Sequence, residues 1–526
     1  MVAGVELPIN RGATATELAE TIFGDGAVIE SATYTGDPDS SGIFTNGDAI
    51  APEVTPGDTG VLFSTGDLRG FTNNNAAQSN LNTNTTTASS GPNNVADFNA
   101  AAGGVSTFDA SFLDVDFTPI GDVMTAQFVF ASEEFPEFQN GAFQDFIGVW
   151  INGNLVDLGV GDGDVDPNNL NSGSAQNLFI DNTADQFNTE MDGFTLTLTL
   201  TIPVNTGVTN SIRIGIADVA DSNFDSTLLI SADSFQTTLV ATDDTSNLFP
   251  TGSRTIDLLA NDINTTGGTL SITQINGQTV SSGSVVILST GQTIQVNGDG
   301  TITALGDGDV EEVDFTYEVT SATGQTDIGF VTLNSVPCFV QGTHILCERG
   351  DVRVEDLKVG DLVLTRDNGF QPLRWVGHRT VKGVGDFAPI RISAGTFGEH
   401  NDLWVSPLHR VLIRDSLAEL LFGEAEVLVA AKDLVNDHSI RSETMPSVVY
   451  FHLLFEQHQI VFSEGLATES FLPGPQIKDS FEMDIVREIC ALFPEIDPET
   501  AEGYSPAARQ MLRRFEAQLL AQKWVA

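Results

Sequence analysis

The first 337 of the chain's 526 residues contain no cysteine, no histidine and no lysine. Thiol and imidazole chemistry is thereby excluded from this stretch, and with no disulfide to form it needs no particular redox compartment. Positive charge is nearly absent too. Four arginines face 44 Asp and Glu, a formal charge of −40, whereas residues 338–526 hold 18 Lys and Arg against 28 Asp and Glu, or −10. A chain this acidic repels nucleic acid and anionic lipid, so nucleic-acid binding is set aside. No run of about 18 apolar residues occurs, which excludes a membrane-spanning helix. The opening MVAGVELPINRGATATELAETIFG has neither a basic n-region nor an apolar h-region. No Sec signal peptide is expected, and export would use a route without one, such as type I secretion. Three cysteines, Cys338, Cys347 and Cys490, cannot complete a set of disulfides.

What is present is mostly strand. TAQFVFASEEF, DFIGVWING, FTLTLTLTIPV, SIRIGIA and STLLISADSF are short, rich in Val, Ile, Phe and Thr, and punctuated by Gly, Asn and Asp. One early segment, TATELAETIFG, has helical character, with Thr14 or Thr16 as N-cap. The front part is expected to be a β-sandwich or jelly roll. Residues 71–95, rich in Asn, Thr and Ser, are expected to form a long mobile surface loop. From about residue 239 short strands recur with NG, DG and GG turns, the pattern of a small Ig-like sandwich. The chain as a whole reads as mainly β and multidomain: 1–238, 239–337, an all-β region 338–475, and a tail 476–526 of helical periodicity packed on that region.

Two acidic groups in the front part are candidates for chemistry. Asp162, Asp164 and Asp166 alternate in GDGDVDPNN, so that a tight loop could converge their carboxylates on a hard cation such as Ca²⁺. The loop departs from an EF-hand, since Gly173 stands where a bidentate Glu is required. Glu133, Glu134 and Glu137 with Asp145 form the second group. For both, the simpler reading is solvated loop carboxylates. Adjacent Glu133 and Glu134 point to opposite faces of a strand, which argues against a glycosidase acid and base pair.

The order ATATELAETIFGDGAVIESATYTGDPDSSGIF, GVLFSTGDLRG, FVFASEEFPEF with DFIGVWING, MDGFTLTLT and IADVADSNFDSTLLI resembles the choice-of-anchor L domain of bacterial surface proteins. The resemblance implies a secreted or surface-displayed module meeting a cell-surface or extracellular-matrix component. IDLLANDIN, FTYEVTSATGQT and FVTLNSV resemble a bacterial cadherin-like adhesion domain, present once and so a spacer. CFVQGTHILCERGDVRVEDLKVGDLVLTRDNGFQPLRWVGHRTV, WVSPLHRVLI and YFHLLFEQHQIVFSEGLATESF, in that order, resemble a Hint domain, the self-processing module shared by inteins and hedgehog C-terminal regions.

Cys338 stands where the two compositional regimes meet. A peptide bond is protected by resonance, so cleaving it needs several helpers at one place. A thiol is a strong nucleophile that is already a few per cent thiolate near neutrality. From Cys338 it reaches the carbonyl of Pro337 through a five-membered ring, and the fixed φ of proline holds that carbonyl. The resemblance implies roles for S-P-L-H: His409 as general acid on the departing nitrogen and Ser406 as the hydroxyl distorting the scissile amide. His452 and His458 either activate the second nucleophile or brace the cleft. Such cleavage needs no cofactor. Its acceptor is a water, thiol, lipid or protein amine. Cys347 and Cys490 read as small buried hydrophobes. His344, His378, His400 and His438 read as solvated or structural, and a His/Cys metal site lacks the spacing. Without a terminal His-Asn junction after ATESFLPG, splicing is not expected. The competing class is a purely structural adhesin whose Hint fold is inert.

Overall fold

A computed structural model describes residues 2–472 except 83, 140, 162, 249–252, 308–312, 335–338, 384–387, 423 and 437, together with 505, 507–512 and 517. The chain is mainly β, in several separate sheets.

Two antiparallel sheets face each other in the front part. The larger runs in the order Ile9–Asn10, Ser41–Thr45, Thr59–Ser64, Ser226–Ser231, Val123–Ser132, Gly193–Thr195 and Phe179–Asp181, with Leu198–Pro203 also paired to Val123–Ser132. The smaller runs Ala27–Thr35, Thr107–Pro119, Asn210–Val219, Phe146–Ile151 and Asn154–Leu155. Strand alternation explains the core: Leu113, Val115 and Phe117 point inward to meet Phe63, Phe128, Phe130 and Ile230, while Asp114 and Asp116 between them face out. The expected early helix is Ala15–Ile22. Thr14 caps it: the Glu17 N–H donates to Thr14 Oγ1 at 3.3 Å and Glu17 Oε2 accepts the Thr14 N–H at 2.7 Å. Leu18, Ala19 and Ile22 close one end of the core.

Residues 71–95 differ from the expected mobile loop. Ser79, Asn80 and Thr85 are buried, and the segment is pinned to Asp185, Glu190, Asp192 and Asp225. Side chains that made the segment look unstructured supply the donors that buried carboxylates require.

A second sandwich follows. Its five-stranded sheet, with Val313–Ser321 and Thr326–Asn334 at its centre, packs on a four-stranded sheet around Tyr317, Phe315, Ile294 and Ile302. It is joined to the first by Phe330, which enters the first sandwich's core, and by buried Asp327, which accepts from the Ala241 N–H at 2.8 Å and Gln127 Nε2 at 3.2 Å. Tyr317, fully buried, donates its hydroxyl to Asp262 Oδ1 at 2.8 Å.

The C-terminal region has a six-stranded sheet ordered Trp375–Gly383, Met445–Leu454, Phe339–Val340, Leu403–Val405, Ile390–Ile392 and Ile440–Ser442, and an eight-stranded sheet that includes His344–Cys347, Ile460–Ser463, Leu466–Glu469 and Arg410–Arg414. Of the expected helical tail, Ala517 is helical, and most of the rest lies outside the described residues. Met511 makes a parallel bridge to Leu428, held by the Leu428 N–H to the Gln510 carbonyl at 2.8 Å and the Leu512 N–H to the Leu428 carbonyl at 2.9 Å.

Tyr317→Phe removes one of two donors to the half-buried Asp262 carboxyl group, the other being the Thr242 N–H, while keeping the ring. It should destabilise the second sandwich by about 1–3 kcal/mol in urea unfolding. An unchanged midpoint would remove that hydroxyl from the account.

Candidate functional site

Pro337 and Cys338 lie outside the described residues, but the chain on their C-terminal side is well placed. Phe339 is the middle of a ladder, paired with Val405 on one side and Phe451 on the other, both antiparallel. Ser406 and His452 are the residues that follow those two partners. Both are buried.

His409 is brought to the same place by the turn after Val405, in which its N–H donates to the Ser406 carbonyl at 3.0 Å. Its ring meets that of Phe339 edge-on, with centroids 4.4 Å apart. Among the described residues neither ring nitrogen has a hydrogen-bond partner, although the residue is 1% exposed. Burial holds the imidazole pKa down to about 4; Glu469 pulls it up, and Arg410 and His458 press it lower. At neutral pH it is an uncharged base with a free lone pair. A buried polar group of this kind is costly unless something occupies it in the course of function.

His458 is employed otherwise. Its Nδ1 accepts the Ala508 N–H at 2.9 Å, leaving the ring proton on Nε2, which faces the Ser470 carbonyl at 3.1 Å and Glu469 Oε2 at 3.6 Å. Its own N–H donates to Ser505 Oγ at 2.7 Å. This histidine ties the tail to the eight-stranded sheet. His452 meets Phe471, with ring centroids 5.5 Å apart, and the Phe471 N–H donates to the Leu453 carbonyl at 2.9 Å. Ser406, His409, His452 and His458, separated by up to 52 positions, thus converge around Phe339, Ser470 and Phe471.

Glu469 is a member of this group that the sequence reading missed. It is fully buried; Oε1 accepts the Arg410 N–H at 2.8 Å, and Oε2 has no hydrogen-bond partner. Burial alone would raise its pKa, but the charge on Arg410, with His458 and His409, holds it below the usual carboxylate value. A charged residue in the otherwise apolar and hydroxylic run GLATESF was the available signal.

The other candidates lie elsewhere. Cys347 is buried between strands, its thiol pushed up to about 11 by burial, which suits an inert core residue. Cys490 and Asp162 lie outside the described residues. Asp164 is exposed, and Asp166 Oδ1 accepts the Asn169 N–H at 2.9 Å, a turn-capping contact. Among the described residues no three His, Cys, Asp or Glu side chains gather to hold a metal ion. Of the second acidic group only Glu137 is exposed, as expected of a solvated carboxylate; Glu133, Glu134 and Asp145 are buried. No helix among the described residues is long and apolar enough to cross a membrane.

With this geometry in view, residues 8–236 match the family model of the choice-of-anchor L domain, and residues 337–475 match that of the Hint domain. No curated protein matches the chain. Among solved structures, the gp41-1 intein is 11% identical over 25% of this chain and 97% of its own, with a TM-score of 0.17. A splice-inactive variant of the AceL NrdHF class 3 split intein is 15% identical over 26% and 97%, with a TM-score of 0.18. The M60 catalytic domain with its two CBM51 domains from Clostridium perfringens ZmpB is 9% identical over 85% and 43%, with a TM-score of 0.15. At these scores the structural likenesses carry no argument.

Two outcomes follow from the histidines. His409 has a folded pKa below its unfolded value of about 6.5, so its share of stability is complete above pH 6.5 and is lost as pH falls toward 4. Between pH 7 and 5 that loss is on the order of 2 kcal/mol, and His409→Gln should remove it from calorimetric unfolding curves. A slope identical in the variant would show that His409 does not titrate this way. His458→Ala should raise the hydrogen-exchange rate of the Ala508 amide at least about tenfold, because its acceptor is gone. Retained protection would mean that other contacts hold the tail.

Proposed function

We propose that this chain, which carries a choice-of-anchor L domain ahead of a Hint domain, is a secreted or surface-displayed protein that cleaves itself once, at the Pro337 to Cys338 bond. The observation that carries the proposal is His409: buried, uncharged, unpartnered at both nitrogens, and packed on the residue that follows Cys338. The division into 1–238, 239–337, 338–475 and 476–526 belongs to the same reading.

The chemistry follows from the residues. His409 takes the proton from the Cys338 thiol, and the sulfur attacks the Pro337 carbonyl carbon. A C–S bond forms, and collapse of the tetrahedral intermediate breaks the C–N bond while the imidazolium returns the proton to the leaving amine. An imidazolium in a buried site needs a counter-charge, which the ionised Glu469 supplies. An acid of such low pKa also gives up its proton readily. If the register of Phe339 continues by one residue, Ser406 and His452 flank the reacting position. Ser406 then hydrogen-bonds the strained amide or its oxyanion, and His452 faces the thioester as base for the second nucleophile. That nucleophile, a water, thiol, lipid or amine, takes the acyl group and frees the Cys338 thiol. The front module leaves on its Pro337 carboxyl group, to act at a cell surface or extracellular matrix.

Dithiothreitol or hydroxylamine should divide the folded chain into fragments of 337 and 189 residues, at a rate rising with nucleophile concentration and with pH as thiolate forms. Cys338→Ala should abolish the cut, His409→Ala should slow it by roughly 10²- to 10⁴-fold, and Cys347→Ala should leave the cut site unchanged. One intact chain after prolonged exposure to thiol, or an equal cut in Cys338→Ala, would replace this reading with that of a structural adhesin whose Hint fold is inert.

A further inference from the structure

A second group of buried atoms has no partner, far from the site above in sequence and unlike it in chemistry. The strands Val123–Ser132 and Gly193–Thr195 are antiparallel, with Gly193 opposite Ser132. The next residues outward on the two chains are Asp192 and Glu133. Both are buried, at 2% and 0% exposure. Just beyond the end of the ladder Asp192 repels the charged form of Glu133, and water does not reach the two to weaken the repulsion.

Among the described residues neither carboxyl oxygen of Glu133 has a hydrogen bond of full geometry, although Thr85 lies against it. Asn80, 8% exposed, donates its Nδ2 to Asp192 Oδ1 at 2.6 Å, so its carboxamide lies against that carboxylate, and its own Oδ1 has no partner. The backbone around Asn80 is fixed by two other acids. Asp185 Oδ1 accepts the N–H groups of Ser79 and Asn80, each at 3.0 Å, and the Ser79 hydroxyl at 2.5 Å. Glu190 Oε2 accepts the N–H groups of Leu81 at 2.6 Å and Asn82 at 3.2 Å, and its Oε1 accepts Asn73 Nδ2 at 2.5 Å. Thr85, further along the same segment, lies against Glu133. The four arginines of the front part bond elsewhere, to Asp39, Asp67, Asp114 and Ser246. Among the described residues no cationic side chain is bonded to Glu133.

We infer that Glu133, Asp192 and Asn80 bind a hard divalent cation, Ca²⁺ by its chemistry, beneath the strap formed by residues 79–82. Every unpartnered atom of the set is an acceptor oxygen. A proton on Glu133 would satisfy one of them, whereas a cation satisfies all of them together. Ca²⁺ takes about six to eight oxygens in flexible geometry, from carboxylates, carboxamides, main-chain carbonyls and water. Mg²⁺ demands a strict octahedron that a bidentate carboxylate and a carboxamide on separate chains fit poorly. The site shares no residue with the 162–166 loop.

Titration calorimetry of the full chain with CaCl₂ tests this. The wild type should bind Ca²⁺ in preference to Mg²⁺ at equal ionic strength. Glu133→Gln and Asp192→Asn should each weaken Ca²⁺ binding at least about tenfold, while Asp166→Asn leaves it unchanged. Both replacements are close to isosteric, and a cooperative calorimetric unfolding transition without Ca²⁺ shows that each variant is folded before its binding is read. No Ca²⁺ binding by the wild type, equal binding in Glu133→Gln, or a loss seen in Asp166→Asn alone would overturn the inference.

Discussion

The front 337 residues surround four guanidinium groups with 44 carboxylates, and that imbalance governs how they fold. Ion pairing cannot answer most of the acids, so those that become buried turn to neutral donors. Asp185 and Glu190 take main-chain N–H groups, Asp225 takes the Thr87 hydroxyl and N–H, and Asp145 takes the Val219 N–H and the Ser226 hydroxyl. Even the join between the two sandwiches is made this way, with Asp327 receiving a main-chain N–H and a glutamine amide. The polar strap at residues 71–95 exists because these carboxylates need donors, and a segment of Asn, Ser and Thr is the densest neutral supply of them.

Where neutral donors run out, carboxyl groups keep their protons. Burial pushes Glu134 up to about 9, with Asp145, Asp221 and Glu137 adding to the effect, and it raises Asp145 to about 7 in spite of the Ser226 and Val219 donors. Such groups stabilise the fold fully below about pH 4.5 and lose that contribution as pH rises through their folded values. His409 and Glu469 in the C-terminal region have the opposite sign, both lying below their unfolded values. These buried groups of the two parts therefore respond to pH with opposite sign, the acids lying away from cations in one and the histidines beside an arginine in the other.

The C-terminal site handles burial differently. Arg410, which follows His409 and opens a strand of the eight-stranded sheet, donates its N–H to Glu469, and its charge keeps that acid ionised in the core. His458 spends both ring nitrogens on structure, and that distinguishes it from His409, which spends none. Two histidines that look equivalent in a sequence thus divide into a tether and a free base.

Local signals in the sequence were sufficient for the strand-rich class, the Thr14-capped helix, the inert character of Cys347, and the nearness of Ser406 to His409, because each depends on residues within one turn or one strand. Resemblance carried the two outer regions, since it draws on the order of several blocks along the chain. The sequence could not by itself tell buried carboxylates from solvated ones: Glu133 and Asp164 are both acids beside turns, and only the pairing of Gly193 with Ser132 and the strap over it bury the first. Nor could it single out Glu469 or separate the roles of His409 and His458. Those depend on Phe339 pairing with Val405 and Phe451, and on Ala508 reaching His458 across 50 positions. Composition and spacing fix which groups a chain can offer, but burial and hydrogen-bond partners arise between segments distant in sequence, so the tertiary structure alone decided which carboxyl stays protonated and which imidazole stays free.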